Sequence, residues 1–292
     1  MATKRSGSIA MICVVAGLFL TSLAAAGDIQ VKSGQKIAFL GDSITAGGNS
    51  PLGYLGMVIS GLDANGVKAA KIPAGISGHK SNQMLARLQR DVIDKKPAWM
   101  TLSCGVNDVW HGARGVPLED YKTNITEIVT RAKKVGIKVM ILTSTMISED
   151  PKASNNVKLA AYNAFLVELA KSQGCLLADL NADMQKAIAQ AAKAGAKPGR
   201  ILTRDGVHMN PFGNAMMATG ILRAFGLDDQ QIAKANERWD STDYGMRMNI
   251  NLRMTFAEYK RFIKFPDAER KALLAEAEAK CKALIMDKIK GK

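Results

Sequence analysis

The sequence predicts a three-layer α/β/α sandwich around a five-stranded parallel sheet, followed by a C-terminal helical extension. Three observations support this prediction. Short apolar runs alternate with segments of helical hydrophobic spacing over residues 36–225, and this alternation is typical of a parallel sheet with helices on both faces. Most of the runs are continuously apolar, as expected of strands buried on both faces. The length of 292 residues accommodates one such domain and an extension.

Five apolar runs account for the predicted strands. They cover residues 37–40, 67–72, 99–102, 137–142 and 175–180. Each run has the length expected of a strand rather than of a helix.

The segments between the runs have helical spacing. The predicted helices cover residues 54–62, 81–94, 119–135, 155–171, 184–194 and 211–225. The helix at 119–135, for example, carries Ile125, Ile128 and Val129 on one face, and Gly136 follows its end. A loop is predicted over residues 195–203.

Residues 1–26 have the pattern of a secretory signal peptide. Lys4 and Arg5 precede an apolar run over residues 9–23, and three alanines follow. A membrane anchor is the alternative, but the run is short against the roughly 20 residues that a spanning helix needs. Cys13 lies inside the apolar run rather than at a cleavage point, which argues against a lipoprotein. We therefore expect a secreted or periplasmic protein.

The main domain is predicted over residues 27–230 and the extension over 231–292. Residues 237–251 are polar and irregular in pattern, and Thr255 with Glu258 forms a capping-box pattern for one helix. A second helix further on carries an apolar stripe at Leu273, Leu274, Ala277, Cys281, Leu284, Ile285 and Ile289. Such a stripe is typical of a helix packed on its own domain. A dimer interface or contact with an anionic surface is the alternative.

The chain is basic, with 40 Lys and Arg against 26 Asp and Glu and a formal charge of +14. This charge favours anionic surroundings, but much of the excess lies on predicted helical faces and in the tail. No nucleic-acid-binding motif is present, so we expect no nucleic-acid partner. Cys104, Cys175 and Cys281 are too widely spaced for a disulfide framework. With three histidines and no Cys/His cluster, the sequence indicates no metal site.

Four short polar blocks carry the candidate chemistry. In chain order they are Gly-Asp-Ser-Ile-Thr at 41–45, Gly-Ile-Ser-Gly at 75–78, Gly-Val-Asn-Asp at 105–108 and Asp-Gly-Val-His at 205–208. The first three lie just beyond predicted strands. In open parallel sheets ligands bind beyond the carboxyl ends of the strands. We therefore expect these three blocks to surround one cleft.

Ser43 is the candidate nucleophile. It follows the buried strand at 37–40 on a sharp turn, where the strand fixes its position and the turn exposes its hydroxyl in a cleft. A plain turn or a helix N-cap is the alternative interpretation of this block taken alone.

Together, the four blocks resemble those of the SGNH (GDSL-type) hydrolase superfamily. The superfamily's name gives the order Ser, Gly, Asn, His, which corresponds here to Ser43, Gly78, Asn107 and His208. The resemblance covers roughly residues 36–225. It implies a flavodoxin-like SGNH fold and a serine esterase that needs no metal or organic cofactor.

His208 is the candidate general base for Ser43, because serine is a poor nucleophile until a base takes its proton. Asp205, three residues earlier, is placed to orient the imidazole. A surface histidine beside a helix-capping aspartate is the alternative, and the position of this block in the family order favours the catalytic role. If neutral His208 is the base, activity falls as the imidazole becomes protonated at lower pH.

Three donors are candidates for the oxyanion hole: the backbone N–H groups of Ser43 and Gly78 and the side-chain amide of Asn107. Gly75 is the alternative to Gly78, although Ile-Ser-Gly-x-x-Ser matches the family pattern better. Glycine permits the unusual backbone angles that aim an N–H group into a cleft.

Asp42, His79 and Trp110 are the candidates for contacts with the substrate. Asp42 stands beside the nucleophile, and holding the loops by hydrogen bonds is its alternative role, shared with Asp108. For His79 and Trp110 a core or surface position is the alternative.

The family includes carbohydrate acetylesterases, lysophospholipases, thioesterases and lipases. Secretion, a basic surface and the lack of a long apolar lid segment favour removal of small acyl groups, in particular O-acetyl groups on glycans. One alternative is a lysophospholipase or lipolytic esterase that docks on an anionic envelope surface through the C-terminal helix. Another is a catalytically inactive glycan-binding module, against which the intact Ser, Gly, Asn and His set argues.

Overall fold

A computed structural model describes residues 28–196, 199–247 and 251–262. Its main feature is a five-stranded sheet with the strand order β2-β1-β3-β4-β5, and all pairings are parallel. The strands are β1 (Lys36–Gly41), β2 (Ala70–Gly75), β3 (Trp99–Ser103), β4 (Lys138–Leu142) and β5 (Leu176–Ala178). This order confirms the predicted flavodoxin-like sheet.

Helices cover both faces of the sheet. They are α1 (Ser43–Gly47), α2 (Tyr54–Ala64), α3 (Ser81–Asp91), α4 (Val106–Trp110), α5 (Leu118–Lys134), α6 (Ser154–Ser172), α7 (Leu180–Lys193), α8 (Pro211–Ala224), α9 (Asp229–Asp240) and α10 (Phe256–Phe262). Short 3₁₀ turns follow α3 at Ile93–Lys95 and α4 at Gly112–Arg114. Helices α2, α7, α8 and α9 pack together as one layer, and α3, α5 and α6 form the other. The three-layer α/β/α sandwich is therefore confirmed.

The core lies on both sides of the central strands. Every residue of β3 is buried, as expected of a strand covered by helices on both faces. Helix α5 turns the predicted stripe of Ile125, Ile128 and Val129 into this core, where all three side chains are 0 % exposed. The indole of Trp99 meets the ring of Phe225 edge-on, with their centroids 5.3 Å apart.

The predicted bounds of β2, α7 and β5 are wrong. The second strand begins at Ala70 and not at residue 67, and it runs on through Pro73 to Gly75. A proline is tolerated there because β2 is an edge strand. Helix α7 begins at Leu180 and not at residue 184, since the Asp179 carboxylate caps it by accepting from the N–H of Ala182. Strand β5 is correspondingly short.

The region after residue 230 is more ordered than its polar pattern indicated. Helix α9 spans the predicted domain boundary, and its Trp239 side chain is 1 % exposed and donates from Nε1 to the carbonyl of Met57 at 2.9 Å. Strands β6 (Asp243–Arg247) and β7 (Asn251–Thr255) then pair antiparallel. The expectation of an irregular segment over 237–251 is therefore wrong for the residues that these elements cover.

The capping box predicted for the next helix is confirmed. The N–H of Thr255 donates to the Glu258 carboxylate at 2.7 Å, and the N–H of Glu258 donates to the Thr255 hydroxyl at 3.2 Å. The signal-peptide segment at 1–26 and the predicted second helix with Leu273 and Leu274 lie outside the described residues. Over the ranges that the structure describes, no helix combines the length and the apolar character needed to cross a membrane.

Candidate active site

The candidate nucleophile lies on the tight turn between β1 and α1. Ser43 is the first residue of α1, and the Asp42 carboxylate caps this helix by accepting from the N–H of Ile44 at 2.9 Å. At Gly41 a Cβ atom would come within 1.9 Å of the Thr45 hydroxyl oxygen. Only glycine fits there, so the sequence Gly-Asp-Ser holds the serine at the end of a rigid strand.

Ser43, His208 and Asp205 form one chain of hydrogen bonds. The Ser43 Oγ lies 2.8 Å from His208 Nε2, and the His208 Nδ1 lies 2.7 Å from the Asp205 Oδ2. The other Asp205 oxygen accepts from the N–H groups of Val207 and His208 at 3.0 and 2.8 Å. The fold therefore brings the three predicted residues into the arrangement that nucleophilic serine chemistry needs.

The Asp205 carboxyl is more acidic in this setting than an ordinary aspartate. Burial raises its pKa, but the hydrogen bonds from the backbone and ring of His208 and from the backbone of Val207 outweigh that effect, so its pKa falls to about 2. The carboxylate is thus ionised at neutral pH. An ionised carboxylate holds the imidazole in one orientation and stabilises the imidazolium that forms when His208 accepts a proton.

A half-buried carboxylate fixes the loop that leads to Asp205 and His208. Glu149 accepts from the N–H groups of Ile201, Leu202 and Thr203 at 2.5, 2.8 and 2.7 Å, and from the Thr203 hydroxyl at 2.8 Å. The N–H of Ser148 also donates to the carbonyl of Gly206 at 2.7 Å. We call these contacts the Glu149 clamp. Sequence reasoning missed it, because no local pattern links positions about fifty residues apart.

Gly78 and Gly75 have different roles. Gly78 adopts a φ of +77°, and nothing lies within 4 Å of where a Cβ would be. A Cβ at Gly75 would lie 2.3 Å from the backbone nitrogen of Ala46, so Gly75 allows β2 to pack closely against α1. No acceptor for the N–H of Gly78 or of Ser43 is found among the described residues. These observations favour Gly78 over Gly75 as the oxyanion donor.

Asn107 lies in the first turn of α4 and is 4 % exposed. Its amide nitrogen donates to the carbonyl of His79 at 3.2 Å and to the Asp42 carboxylate at 3.3 Å, and its oxygen lies 3.2 Å from His111 Nε2. These contacts orient the side chain from three directions. Asn107 thus joins the glycine loop to the nucleophile turn, as the order of the blocks predicts.

Asp42 lies beneath the nucleophile and not on a substrate rim. Its side chain is 2 % exposed, so the expectation that it contacts substrate is wrong and the alternative, loop-holding role agrees with its contacts. Burial raises its pKa to about 6, with the nearby Asp108 carboxylate adding to the effect and the hydrogen bond from Ile44 opposing it. Asp108 itself accepts from the N–H of Ser81 at 2.9 Å.

His79 and Trp110 do not line the cavity that contains Ser43. The His79 ring accepts from Arg87 Nε at 3.1 Å and faces a separate surface depression with Gln83 and Arg90. Burial and the Arg87 guanidinium lower the pKa of His79. Trp110 is 47 % exposed at the end of α4, with its ring centroid 6.3 Å from that of His111. A surface position, the alternative for both residues, agrees with these contacts.

The geometry above agrees with the family assignment. The sequence model of the GDSL-like lipase/acylhydrolase family matches residues 39–216. The chain belongs to this family. It is accordingly an ester hydrolase of the GDSL type, and residues 39–216 include all four blocks.

Similar proteins include esterases. The acetylxylan esterase of Geobacillus stearothermophilus is 25 % identical over 222 residues, which cover 68 % of this chain and 98 % of that relative. Esterase TesA of Pseudomonas aeruginosa is 30 % identical over 115 residues, or 39 % of this chain and 56 % of TesA. The crystal structure of the acetyl xylan esterase AlAXEase superposes with a TM-score of 0.59 and 31 % identity, covering 65 % of this chain and 98 % of that structure.

The cavity beside Ser43 in this GDSL-family esterase is small, with a volume of about 160 Å³. Its walls include Leu52, Arg204, His208, Pro211 and Asn214. Asn214 also accepts from the backbone N–H of Tyr54 at 3.0 Å and so ties α8 to the start of α2. Sequence reasoning missed Leu52, Arg204 and Asn214 as cavity residues. Arg204 stands directly before the Asp-x-x-His block, and this position was the available signal.

A buried arginine joins the ends of β1 and β2 in the GDSL-family domain. Arg87 on α3 is 6 % exposed, and its guanidinium donates to the carbonyls of Gly41 and Ala74, both at 2.8 Å. It also contacts the His79 ring and pairs with Asp91 at 3.0 Å. An arginine among the apolar positions of α3 was the signal that sequence reasoning missed. Among the residues described here, no group of three or more His, Cys, Asp and Glu could hold a metal ion.

Proposed function

We propose that this GDSL-family esterase removes small acyl groups, in particular O-acetyl groups, from carbohydrates by way of an acyl-enzyme on Ser43. The observation that carries the proposal is the chain of contacts from Ser43 Oγ to His208 Nε2 at 2.8 Å and from His208 Nδ1 to Asp205 at 2.7 Å. The small cavity beside Ser43 supports an acyl group of acetyl size. Similarity to acetylxylan esterases supports a carbohydrate as the alcohol part of the substrate.

The reaction proceeds in two halves. In the first half, His208 takes the hydroxyl proton while the Ser43 oxygen attacks the ester carbonyl carbon. The imidazolium then gives this proton to the sugar oxygen as its bond to the acyl carbon breaks, so the sugar leaves as an alcohol and the acyl group remains on Ser43. In the second half, His208 takes a proton from water, which attacks the acyl-enzyme. The acid is released, and Ser43 recovers its proton from His208.

Negative charge develops on the former carbonyl oxygen in both halves. The N–H groups of Ser43 and Gly78 and the amide of Asn107 are the proposed donors to it. The hydrogen bonds that Asn107 donates at 3.2 and 3.3 Å are long. Its amide therefore keeps the capacity for a stronger bond to a charged oxygen, which is worth more than a bond to a neutral acceptor.

Acyl length tests the proposed substrate range. We expect kcat/KM for p-nitrophenyl acetate to exceed that for p-nitrophenyl octanoate, because the small cavity is lined by the polar side chains of Arg204, Asn210 and Asn214 and offers a long acyl chain little apolar surface. Ser43→Ala is the control for background hydrolysis. Faster octanoyl turnover would overturn the acetyl proposal and favour the lipolytic alternative.

We also propose that residues 1–26 are a cleaved secretory leader and that the mature chain begins near residue 27. The support is the basic start, the apolar run and the alanines that follow it. N-terminal sequencing of the protein exported by a host that recognises such leaders tests this. An intact N-terminus on membrane-bound protein would favour an uncleaved anchor.

A further inference from the structure

Arg204 lies at the cleft of this esterase on a rigid piece of backbone. It lines the cavity that contains Ser43 and His208, and its side chain is exposed. The backbone N–H of Arg204 donates to the carbonyl of His208 at 2.8 Å. The adjacent pair, Thr203 and Met209, forms an antiparallel bridge. The position of Arg204 relative to His208 is therefore fixed by the backbone.

The Arg204 guanidinium has no anionic partner within the described part of the chain. The two nearest carboxylates along this loop are already used. Asp205 accepts three hydrogen bonds from Val207 and His208, and Glu149 accepts four from the loop residues 201–203. No Asp or Glu is among the residues that line the cavity. Within the part of the chain that the structure describes, the positive charge of Arg204 at the rim is therefore not offset by a carboxylate.

We propose that Arg204 selects acyl esters whose alcohol part carries a negative charge, so that the substrate class of this site is an acetylated acidic glycan. The inference rests on the proposed function, since it requires the acetyl group to occupy the small cavity beside Ser43. The alcohol part then extends outward past the rim. A guanidinium is always charged and binds a carboxylate with two parallel hydrogen bonds. It therefore attracts and orients an acidic sugar next to the reacting ester.

The choice of an acidic glycan over a neutral one follows from charge. Without Lys4 and Arg5 of the proposed leader the chain still carries a formal charge of +12, so its long-range field also favours approach of a negatively charged polymer. A neutral xylan would leave the Arg204 guanidinium with water as its partner. An acidic glycan would pair a carboxylate with the Arg204 guanidinium, and it would also be attracted by the net positive charge of the chain.

Paired substrates test this inference. Acetate release is measured for two pairs of substrates. The first pair is phenyl acetate and 3-acetoxybenzoate, which carries a carboxylate. The second pair is acetylated xylan without and with glucuronate side groups. Arg204→Gln is compared with wild type and with Arg131→Gln. Arg131→Gln is the control, because it removes the same charge from α5. This helix packs with α3 and α6, whereas α8, which lines the cavity, belongs to the other helical layer. Because both members of each pair share the acetyl group, the ratio of their kcat/KM values isolates the contribution of the carboxylate.

We expect the acidic-to-neutral ratio to fall by roughly threefold to tenfold in Arg204→Gln and to stay at the wild-type value in Arg131→Gln. Added salt should reduce the wild-type ratio toward that of Arg204→Gln, because ions screen exposed charges. If Arg204→Gln leaves the ratio unchanged and acetate release still depends on Ser43, the inference is overturned and the proposed function is not. If Ser43→Ala releases acetate as fast as wild type from every substrate, the proposed function fails and the inference fails with it.

Discussion

Asp205 is held in the ionised form that the proposed mechanism requires. Its pKa of about 2 means that the carboxylate remains ionised as the pH falls from 7 to 5. A loss of activity over that range would therefore not come from protonation of Asp205.

Asp205→Asn should keep the fold and lose most of the activity. The amide cannot stabilise the imidazolium, and it leaves His208 free to adopt the wrong tautomer, so we expect kcat to fall by about 10²–10⁴. Steady-state kinetics with p-nitrophenyl acetate and circular dichroism measure the two properties. Asp94→Asn, at an exposed 3₁₀ turn, is the matched control and should retain activity. Full activity in Asp205→Asn would remove Asp205 from the mechanism.

Asp42 should make the protein less stable as the pH rises. Its pKa rises from 3.8 to about 6 on folding, so the folded state binds the proton more tightly than the unfolded state. The resulting contribution to stability is full below about pH 4 and is lost as pH rises through about 6. The difference in pKa corresponds to about 3 kcal/mol in the free energy of unfolding.

Urea unfolding at pH 4 and pH 7 measures this contribution. At each pH, the free energy of unfolding of Asp42→Asn is subtracted from that of wild type. We expect this difference to be lower at pH 7 than at pH 4 by up to about 3 kcal/mol. Asp94→Asn serves again as control and should follow wild type at both pH values. Parallel behaviour of wild type and Asp42→Asn would show that burial does not hold the proton on Asp42.

At the scale of elements, the site depends on loops held together by distant side chains. The Glu149 clamp holds the loop that leads to His208, and Arg87 joins the ends of the two strands beside the nucleophile. Neither residue is one of the four blocks. Both act by holding backbone in place, which is how a rigid scaffold keeps catalytic groups within reach of one another.

Glu149→Gln should impair catalysis without unfolding the chain. A glutamine has one acceptor oxygen and an NH₂ group, so at least one of the four donors now faces another donor and loses its partner. We expect kcat/KM to fall by about 10- to 100-fold, roughly the effect of a 1 Å misplacement. The rate of Ser43 labelling by a fluorophosphonate should fall in parallel.

Glu168→Gln on α6 provides the comparison, because Glu168 is exposed and its substitution should change neither rate. If Glu149→Gln has a lower free energy of unfolding but is labelled at Ser43 at the wild-type rate, Glu149 has a purely structural role.

The elements that sequence predicts best are those with strong local patterns. Continuous apolar runs located β1, β3 and β4, and the capping box located the start of α10. The errors arose where a tertiary contact decides the outcome. Pairing with β1 extends β2 through Pro73, and Trp239 fixes α9 against α2 although most of that helix is polar. The Glu149 clamp, and the lack of a carboxylate partner for Arg204 among the described residues, could not be predicted, because each depends on which distant groups the fold brings near.

At the scale of the whole molecule, the described part of the extension is attached to the hydrolase domain at two places. Helix α9 packs on α2 through Trp239. Helix α10 packs on the start of α8, where Phe256 and Tyr259 each lie with ring centroids 5.9 Å from that of Phe212. The neighbouring Pro211 lines the cavity. The extension thus supports the wall of the cleft as well as the helical layer.

Trp239 should be one of the main contributors to stability in this arrangement. Its indole is 1 % exposed and lies among apolar groups of α2, with its N–H bonded to the carbonyl of Met57. Trp239→Ala should lower the free energy of unfolding by about 3–5 kcal/mol, because it removes a large buried side chain and leaves the Met57 carbonyl without this donor.

Trp239→Phe separates the two contributions, since it keeps an aromatic ring and removes only the hydrogen bond and part of the volume. It should lose less stability than Trp239→Ala, and both variants should keep wild-type kcat per folded molecule because Trp239 is not at the cleft. Urea unfolding and active-site titration with a fluorophosphonate measure these quantities. If Trp239→Ala unfolds at the wild-type urea concentration, α9 contributes little to the domain and the hydrolase unit ends before it. A destabilised alanine variant would place α9 inside the cooperative unit that forms the esterase.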